Sequence, residues 1–196
     1  MIDNQLFPDP ALSTALPEGL IYVPDFMSVA EQMKLLVAID ERKWSQELKR
    51  RVQHYGYRYD YKARQVDRSM RLGPLPDFVQ DVLNELRMHE AVRSDFDQLI
   101  VNEYLPGQGI AAHIDCEPCF EDRIAIISLG WRYEIEFQYP KSRSSVTLML
   151  AQGSLLVLSG PARYEWTHQI RPRLKDHGVS RQRRVSLTFR KMRFDG

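Results

Sequence analysis

The ten residues "AAHIDCEPCF" at 111–120 carry most of the side-chain types that bind metal ions in proteins. Residues two apart in a strand point to the same face, so His113 and Asp115 would project side by side if "IAAHID" forms a strand. His168 is the best third ligand, because it lies 53 residues beyond Asp115 in the strand-like segment "YEWTHQI". Two imidazoles and one carboxylate on one face of a metal suit non-haem Fe(II) and leave its other positions open.

The two cysteines of the same segment suggest a different metal. A structural zinc site needs four protein ligands, usually with a second Cys or His pair at short spacing. The remaining histidines, His54, His89 and His177, form no such pair, and the sequence has no third cysteine. We therefore predict that Cys116 and Cys119 are free thiols in a loop, with a redox pair as the alternative. A nucleic-acid-binding module with structural zinc stays a competing hypothesis, and His54 and His177 are predicted to be surface or loop residues.

Two arginines near the C-terminus indicate an anionic ligand. Arg184 and Arg190 in "RRVSLTFR" are six residues apart, an even spacing that turns both to one face of a strand, with Ser186 and Thr188 between them. Buried guanidinium groups need anionic partners, and arginine binds carboxylates through paired hydrogen bonds, so a small dicarboxylate would suit this face. Two further polar residues spaced two apart, in "VNEYLPGQG", would reach the same pocket: Asn102 and Tyr104.

The hydrophobic pattern predicts the elements that position these groups. From about residue 97, seven short segments rich in β-branched and aromatic residues indicate a β-sandwich or barrel: "QLIVNEYL", "RIAIISLG", "YEIEFQY", "SVTLMLA", "SLLVLSG", "YEWTHQI" and "RRVSLTFR". Two amphipathic helices are predicted before it, in "SVAEQMKLLVAIDERKW", with Ser28 as N-cap and Glu31 three residues later, and in "PDFVQDVLNELRMHEAV". Their predicted buried positions are Val29, Met33, Leu36, Val37 and Ile39, then Phe78, Val82, Leu83 and Leu86.

The composition limits the class of protein. A chain of 196 residues fits one α+β domain over 1–196, with the helices first and the β-core after them. No apolar run is long enough for a membrane span, and the N-terminus lacks the features of a secretory signal. Two cysteines are too few for a disulfide scaffold, so we expect a cytoplasmic protein with no membrane association. Nothing in the sequence implies an obligate protein partner.

The net charge of +1 conceals two basic segments. Residues 42–73 carry ten bases and three acids, and residues 171–193 carry nine bases and one acid, which favours a polyanionic partner or a small anionic ligand. The first segment also contains "RRVQHYGYRYDYKARQVDR", which as a strand would turn four tyrosines to one face: Tyr55, Tyr57, Tyr59 and Tyr61. Aromatic stacking with phosphate contacts is how single-stranded or flipped bases are held. The alternative is that the tyrosines pack the strand against the β-core.

Several segments resemble a known family. "NEYLPGQGIAAHID", "ISLG", "GSLLVLSGPARYEWTHQI" and "RRVSLTFR" are similar to the AlkB-type Fe(II)/2-oxoglutarate dioxygenases, with N-x-Y, H-x-D, H and R-x5-R in the same order over 102–190. "RRVQHYGYRYDY", "GPLPDF" and "RYEWTH" look most like the AlkB-type domain of the tRNA wobble-uridine hydroxylases. The resemblance implies a double-stranded β-helix (jelly-roll) core within an α+β fold, with the catalytic core at about 97–193.

The same resemblance implies roles for individual residues. Iron would be held by His113, Asp115 and His168. The 2-oxoglutarate co-substrate would contact Arg184 and Tyr104 at its distal carboxylate and Asn102 and Arg190 toward its iron-bound end, with Ser186 at a position where the typical DNA-repair members carry Asn. The acid that family members often carry two residues past the ligand Asp, in contact with the base, is matched by Glu117.

The predicted activity is oxidation of a C–H bond on a nucleic acid, using Fe(II), 2-oxoglutarate and O2. The product is either a demethylated base or a hydroxylated tRNA uridine. A nucleotide-recognition segment at about 45–75 is predicted to contact the substrate through Arg51, Tyr55, Tyr57 and Tyr59. A protein or small-molecule substrate stays the alternative.

Overall fold

Two antiparallel sheets form the frame of the computed structural model, which describes residues 16–142 and 144–194. The strands of the described residues are β1 (Leu20–Val23), β2 (Val52–Tyr55), β3 (Gln98–Tyr104), β4 (Ile110–His113), β5 (Phe120–Gly130), β6 (Tyr133–Gln138), β7 (Ser145–Leu150), β8 (Leu155–Leu158), β9 (Thr167–Ile170), β10 (Lys175–Asp176), β11 (Val179–Ser180) and β12 (Arg184–Met192). The α-helices are α1 (Val29–Asp40), α2 (Gln80–Met88) and α3 (Gly160–Tyr164), with 3-10 turns at Arg68–Met70 and Asp77–Val79.

The strand order is that of a jelly-roll. One sheet has six strands in the order β1-β8-β5-β12-β3-β2, and the facing sheet has four in the order β4-β9-β6-β7. Strands β10 and β11 form a separate two-stranded ribbon. Neighbouring strands in both large sheets are antiparallel, and most connect elements that are distant in the chain. The predicted α+β class with a double-stranded β-helix core is confirmed.

Strand β12 has two faces of opposite character. Its odd positions pack with α1 and α2 in a core on the helix side of the six-stranded sheet: Val185, Leu187 and Phe189, all with no exposed surface. Burying each such side chain contributes about 1.5–3 kcal/mol, which fixes the face that turns toward the helices. The even positions therefore face the four-stranded sheet, and they are polar: Arg184, Ser186, Thr188 and Arg190.

Helix α1 begins where its capping residues predict. The Ser28 side chain accepts a hydrogen bond from the Glu31 backbone N–H, and the Glu31 carboxylate accepts one from the Ser28 N–H. The helix is rotated relative to the prediction, however. Ile39 is buried as expected and Leu36 is half-buried, but three of the predicted core positions are exposed: Val29, Met33 and Val37. The buried side uses a polar residue instead, because the Gln32 amide donates to the Met27 carbonyl and is satisfied there.

Helix α2 matches its prediction more closely. Val82, Leu83 and Leu86 are buried in the helix-side core, and Phe78 is half-buried against it. The helix proper starts at Gln80, after the 3-10 turn.

Three predictions about the order and extent of elements are wrong. The helices do not come first, since β1 precedes α1 and β2 lies between α1 and α2. The strand predicted in "YEWTHQI" begins only at Thr167, because a proline in the first turn starts a short helix at Gly160. The tyrosine-rich segment is not one strand, since β2 ends at Tyr55. Gly56 follows it with φ +76°, and a Cβ there would lie 1.8 Å from the Asp97 carbonyl oxygen, so only glycine fits this turn.

None of the helices in the described residues has the length and apolar character needed to cross a bilayer. That one domain accounts for residues 1–196 stays a prediction.

Candidate active site

A cavity of about 440 Å³ opens between the two sheets, and we call it the inter-sheet cavity. Its floor is the polar face of β12 together with β3, which pair so that Arg184 lies opposite Tyr104 and Ser186 lies opposite Asn102. The even spacing seen in both sequence segments is thus what turns these side chains into one space. The sequence-predicted residues that line it are Asn102, Tyr104, His113, Asp115, His168, Arg184, Ser186, Arg190 and Tyr59.

Arg184 carries a buried charge that no acid of the described residues compensates. Its side chain is 1% exposed, and its guanidinium donates to the Ser128 hydroxyl at 2.8 Å. Its Nε finds no hydrogen-bond partner among the described residues, and no acid in those ranges forms an ion pair with it. Burial lowers the pKa of this guanidinium. Because a buried cation needs an anionic partner, this end of the cavity is suited to a ligand carboxylate.

Arg190 and Asp115 form a buried ion pair at the other end of the cavity. Arg190 Nη2 lies 2.7 Å from Asp115 Oδ1, and its Nη1 donates to Gln98 Oε1 at 3.3 Å. Burial alone would raise the pKa of Asp115, but the interactions with Arg190, the two neighbouring imidazoles and Arg163 together outweigh it and hold the carboxyl ionised, with its pKa below the usual range. The second oxygen, Oδ2, is buried and has no partner within the described part of the chain. That oxygen is free to bind a cation.

The two predicted histidine ligands lie side by side on neighbouring strands. His113 on β4 is paired in register with His168 on β9, and their ring centroids are 4.3 Å apart. Burial lowers the pKa of His168 to about 3, so its imidazole stays neutral and keeps a lone pair for a metal. The Nδ1 of His113 lies 2.8 Å from the Ala111 carbonyl oxygen, which fixes the ring and turns Nε2 toward Asp115.

The three side chains have the donor set of an iron site but are not at ligand distances as they stand. No group of His, Cys, Asp or Glu side chains in residues 16–142 and 144–194 is already arranged to hold a metal ion. His113 Nε2 is 4.0 Å from Asp115 Oδ1, whereas neighbouring ligand atoms on one metal are about 3 Å apart. The neutral His168 and the unpartnered Asp115 oxygen fit a divalent cation.

Asp115 is held by a residue that the sequence did not single out. Strand β4 ends at His113, so Asp115 lies in the following loop and not at a strand position. The guanidinium of Arg163, 2% exposed, donates to the carbonyl oxygens of Asp115 at 2.8 Å and Cys116 at 3.0 Å. Arg163 is contributed by α3, inside the quoted segment "GPARYEW". Only its buried cationic character in an apolar setting could have drawn attention to it.

Cys116 and Cys119 are joined by a disulfide, so the prediction of free thiols is wrong. The Cys-x-x-Cys spacing brings their Cα atoms to 5.3 Å, within the range that a disulfide bridges. The bond also removes the two thiolates that the zinc hypothesis requires. Cys116 Sγ lies 3.5 Å from the Arg64 carbonyl oxygen. Since a disulfide sulfur carries no proton, this is a packing contact between the loop and the tyrosine-rich segment.

Four of the predicted substrate residues do not line the inter-sheet cavity. Arg51 Nε donates to the carboxylate of Glu103 at 2.6 Å, and the guanidinium stacks on the ring of Trp44. Tyr55 packs edge-on against Phe78 on the helix side. Tyr57 packs against the ring of Phe194. Glu117 is exposed on the loop beyond the cavity. None of the four therefore contacts a ligand inside the inter-sheet cavity.

Tyr59 does line the cavity, and it does so with neighbours that were not predicted. The rings of Tyr59 and Tyr61 are 5.2 Å apart, and the Tyr61 hydroxyl is buried with no hydrogen-bond partner in the described ranges. Burial raises the pKa of Tyr61 to about 12, so the hydroxyl keeps its proton. Arg50 donates to Asn102 Oδ1 at 2.9 Å. Tyr61 belongs to the predicted tyrosine face, and the cavity residues of this segment that were not predicted as contacts are Leu48, Arg50 and Arg64.

The histidine predicted at the surface of this segment is also buried. The side chain of His54 is only 7% exposed, because β2 turns it inward against the ring of Tyr61, 5.6 Å away.

The two basic segments differ in how their charge is used. Most of the cations in 171–193 are paired with acids inside the protein: Arg171 with Glu136, Arg173 with Glu134, Arg181 with Asp176, Arg183 with Asp40, Arg190 with Asp115 and Lys191 with Asp97. Of the two partners predicted for this segment, a polyanion or a small anionic ligand, the internal pairing favours the small anionic ligand. In 42–73, six exposed cations form no ion pair with any described residue: Lys43, Lys49, Lys62, Arg64, Arg68 and Arg71.

The profile of the 2OG-Fe(II) oxygenase superfamily matches residues 19–190, nearly the whole described chain. The chain belongs to this superfamily. Two curated relatives are similar over most of it. The tRNA (carboxymethyluridine(34)-5-O)-methyltransferase alkbh8 of Xenopus tropicalis is 41% identical over 207 residues, covering 93% of this chain and 33% of the relative. The alkylated DNA repair protein ALKBH8 homolog of Arabidopsis thaliana is 41% identical over 202 residues, covering 89% of this chain and 58% of the relative.

The predicted AlkB-type family is thus confirmed, and the chain spans only about a third to somewhat over half of these relatives' length. Among solved structures, that of OsALKBH1 has a TM-score of 0.68 at 17% identity and covers 92% of this chain and 99% of its own. A Pseudomonas putida prolyl-4-hydroxylase has a TM-score of 0.57 at 16% identity, covering 90% and 94%. At these identities the structures show the fold alone. As a member of its superfamily, the chain is an oxidoreductase that uses Fe(II), 2-oxoglutarate and O2.

Proposed function

We propose that this dioxygenase oxidises a C–H bond on a nucleic acid, by hydroxylating a modified tRNA uridine or by N-demethylating an alkylated base. The observation that carries the proposal is the wall of the inter-sheet cavity contributed by residues 48–64. It combines two tyrosine rings, Tyr59 and Tyr61, with the cations Arg50 and Arg64, next to further exposed cations of the same segment. Rings that stack on bases and cations that contact phosphates are the two elements of single-strand recognition.

The names of the relatives support the same substrate class. The frog relative is named for a carboxymethyluridine at tRNA position 34, and the plant relative for alkylated DNA. A mouse RNA demethylase, ALKBH5, is 33% identical over 130 residues. The chemistry shared by these names is oxidation or modification of a nucleobase.

We assign Fe(II) to His113, Asp115 and His168. When bound, Fe(II) with 2-oxoglutarate and O2 supplies the oxidation that inserts one oxygen atom into a substrate C–H bond and yields succinate and CO2. Neutral His168 contributes a nitrogen lone pair, and the ionised Asp115 contributes its unpartnered oxygen. Arg190 keeps Asp115 ionised and oriented through their 2.7 Å contact.

The co-substrate is assigned to the polar face of β12 and β3. Arg184 binds the distal carboxylate of 2-oxoglutarate, because it is the buried cation without an acidic partner among the described residues. The ring centroid of Tyr104 lies 5.3 Å from the guanidinium carbon of Arg184, and the Tyr104 hydroxyl donates a hydrogen bond to the same carboxylate. Asn102, Ser186 and Arg190 lie closer to the metal-binding end and hold the co-substrate in its orientation. Positioning of this kind is the main contribution of the protein to the rate.

The substrate base is assigned to the space under Tyr59 and Tyr61. The rings stand at 78° to each other, so the base stacks on one of them and meets the edge of the other, and the Tyr61 hydroxyl, which retains its proton at neutral pH, hydrogen-bonds to the base edge. Covering the cavity with a base also excludes water from the oxidation site.

The test is an activity panel. The protein is incubated with Fe(II), ascorbate, 2-oxoglutarate and, in turn, total tRNA, methylated RNA, methylated DNA, a histone peptide mixture and a metabolite mixture. Succinate formation and the mass of the digested nucleosides are measured, and Asp115→Ala serves as the inactive control. We expect succinate above the uncoupled level only with a nucleic acid, with a matching +16 or −14 mass change. Turnover with peptide or metabolite and none with nucleic acid would contradict the proposal and favour the alternative substrate class.

A further inference from the structure

A second depression, the outer groove, lies beside the inter-sheet cavity and shares no lining residue with it. Its volume is about 560 Å³, within the range of sites that hold a small ligand or a nucleotide. The chain after α1 forms one side, the edge strand β2 forms the floor, and the turn after β2 forms the other side. The lining residues are Arg42, Lys43, Ser45, Glu47, Val52, Gln53, His54, Tyr55, Arg58 and Leu72.

A pair of rings in contact links the outer groove to the inter-sheet cavity. His54 lines the groove, Tyr61 lines the cavity, and their ring centroids are 5.6 Å apart in an edge-to-face arrangement. The side chain of His54 is 7% exposed, and its Nδ1 has no hydrogen-bond partner anywhere in the described residues. A chain that enters the cavity with one unit would reach the groove with the next.

The charges of the groove suit a phosphate. Its lining includes the cations Arg42, Lys43 and Arg58 and a single acid, Glu47. That acid already accepts from His54 Nε2 at 3.2 Å and from Arg58 at 3.1 Å, so it does not neutralise the remaining cations. Lys43 is exposed and forms no ion pair within the described ranges, which leaves its ammonium available to an anion.

The groove also offers apolar surface for a base. Leu72 is 55% exposed at its rim, and the ring of Tyr55 lines its interior. The ring of His54 also lines the groove, and burial lowers the pKa of its imidazole. Cations for a phosphate beside apolar surface for a base are the combination that a nucleotide requires.

We propose that the outer groove binds the nucleotide that adjoins the oxidised one in the same strand. This rests on the proposed function, and it makes the enzyme specific for a polynucleotide over a free nucleoside. Lys43 contacts the phosphate of that neighbouring nucleotide, and Leu72 and Tyr55 contact its base. The enzyme thus recognises at least two consecutive nucleotides, one on each side of the His54–Tyr61 pair.

The test compares two charge reversals on exposed lysines. Lys43→Glu changes the groove, and Lys34→Glu makes the same change on α1, where Lys34 is 80% exposed and 3.7 Å from Asp81. KM and kcat are measured for the oligonucleotide that supports turnover and for the corresponding free nucleoside, at several salt concentrations. We expect Lys43→Glu to raise KM for the oligonucleotide about tenfold. The slope of log KM against log salt concentration should fall by about one. The kcat for the oligonucleotide and both kinetic constants for the nucleoside should not change. Lys34→Glu is expected to resemble the wild type.

Equal effects of Lys43→Glu and Lys34→Glu on the oligonucleotide, or no effect of either, would overturn the inference. A second variant, Leu72→Asp, changes an exposed residue of the same groove and is expected to have an effect like that of Lys43→Glu. Binding of a fluorescein-labelled single-stranded RNA of about ten nucleotides is measured in parallel by fluorescence anisotropy. If the wild type oxidises no nucleic acid, the proposed function fails. In that case, RNA binding that is weakened by Lys43→Glu but not by Lys34→Glu would still support the outer groove as a nucleotide-binding site. RNA binding that Lys43→Glu leaves unchanged would overturn that assignment.

Discussion

Replacing Arg184 by methionine should remove 2-oxoglutarate binding without destabilising the protein. In the absence of ligand, the buried guanidinium has one hydrogen bond, to Ser128, and no acidic partner among the described residues. Replacing a buried charge by an apolar side chain of similar volume is often neutral or stabilising by about 1–4 kcal/mol. We therefore expect the free energy of unfolding of the ligand-free Arg184→Met protein to equal or exceed that of the wild type.

The effect on ligand binding is opposite in sign. Two charge-assisted hydrogen bonds to a carboxylate contribute about 1.5–3 kcal/mol each, so their loss weakens 2-oxoglutarate binding by at least about 100-fold. At a ligand concentration of about 100 times the wild-type Kd, 2-oxoglutarate raises the free energy of unfolding of the wild type by about 2.7 kcal/mol. The same concentration should raise that of Arg184→Met by less than about 0.5 kcal/mol.

The assay is urea unfolding under anaerobic conditions with Fe(II), with and without 2-oxoglutarate. Arg163→Met is the matched control, because Arg163 is equally buried but caps the carbonyls of Asp115 and Cys116. Leaving two buried carbonyls unsatisfied should lower the free energy of unfolding by about 2–6 kcal/mol whether or not the ligand is present. An Arg184→Met protein that is destabilised by more than about 2 kcal/mol, yet is still stabilised by 2-oxoglutarate, would refute the assignment.

Three other outcomes are expected. Asp115→Ala leaves Arg190 buried without its acid and should lower the free energy of unfolding by about 3–5 kcal/mol, and the double variant with Arg190→Met should recover most of this loss in urea unfolding. The unfolded chain binds a proton at His168 below about pH 6.5, whereas the pKa of His168 in the folded chain is about 3. The free energy of unfolding of the metal-free protein should therefore fall by about 2 kcal/mol between pH 7 and pH 5. His168→Gln should remove this dependence on pH. Tyr61→Ala should raise KM for nucleic acid about tenfold or more and Tyr61→Phe by less, since the second keeps the stacking ring; equal effects in steady-state kinetics would contradict base stacking.

The parts of the site that the sequence predicts well depend on local geometry. Alternation along a strand turns Arg184 and Arg190 to the same side whatever the rest of the fold does, and the same holds for Asn102 and Tyr104. The apolar residues between the arginines indicate which side is the core, so the polar side has only the inter-sheet space to enter. Two separate segments that each alternate in this way support one another, and for this reason the polar floor of the cavity was predictable.

The wall of the inter-sheet cavity contributed by residues 48–64 was not predictable in the same detail, because this segment is not a regular strand. Gly56 turns the chain directly after β2, and alternation no longer applies beyond that point. As a result Tyr59 and Tyr61 reach the cavity while Tyr57, although it has the same parity, packs on Phe194. Arg51 was predicted as a contact, but Arg50 lines the cavity, which is the error that a one-residue change of register produces.

The face of α1 that enters the core shows a second limit of sequence reasoning. The exposed apolar residues Val29 and Met33 fit the predicted stripe as well as the buried residues do, but the face that enters the core carries Leu35, Ile39 and the polar Gln32. Its amide finds the Met27 carbonyl only in the folded protein, so a polar residue enters the core without leaving a hydrogen bond unmade. Tertiary partners of this kind leave no mark on the local pattern.

The distribution of charge explains how one chain combines a stable core with a substrate surface. The cations of 171–193 lie in or next to β12, and internal acids bind most of them, so they hold the ribbon and the two sheets together. Six exposed cations of 42–73 form no ion pair with any described residue, and among them Arg64 lines the inter-sheet cavity and Lys43 lines the outer groove. On the proposed function, we therefore expect changes at these unpaired cations to alter substrate binding without breaking the ion pairs of 171–193. Substrate choice would then be separable from the chemistry, because the two depend on different charges.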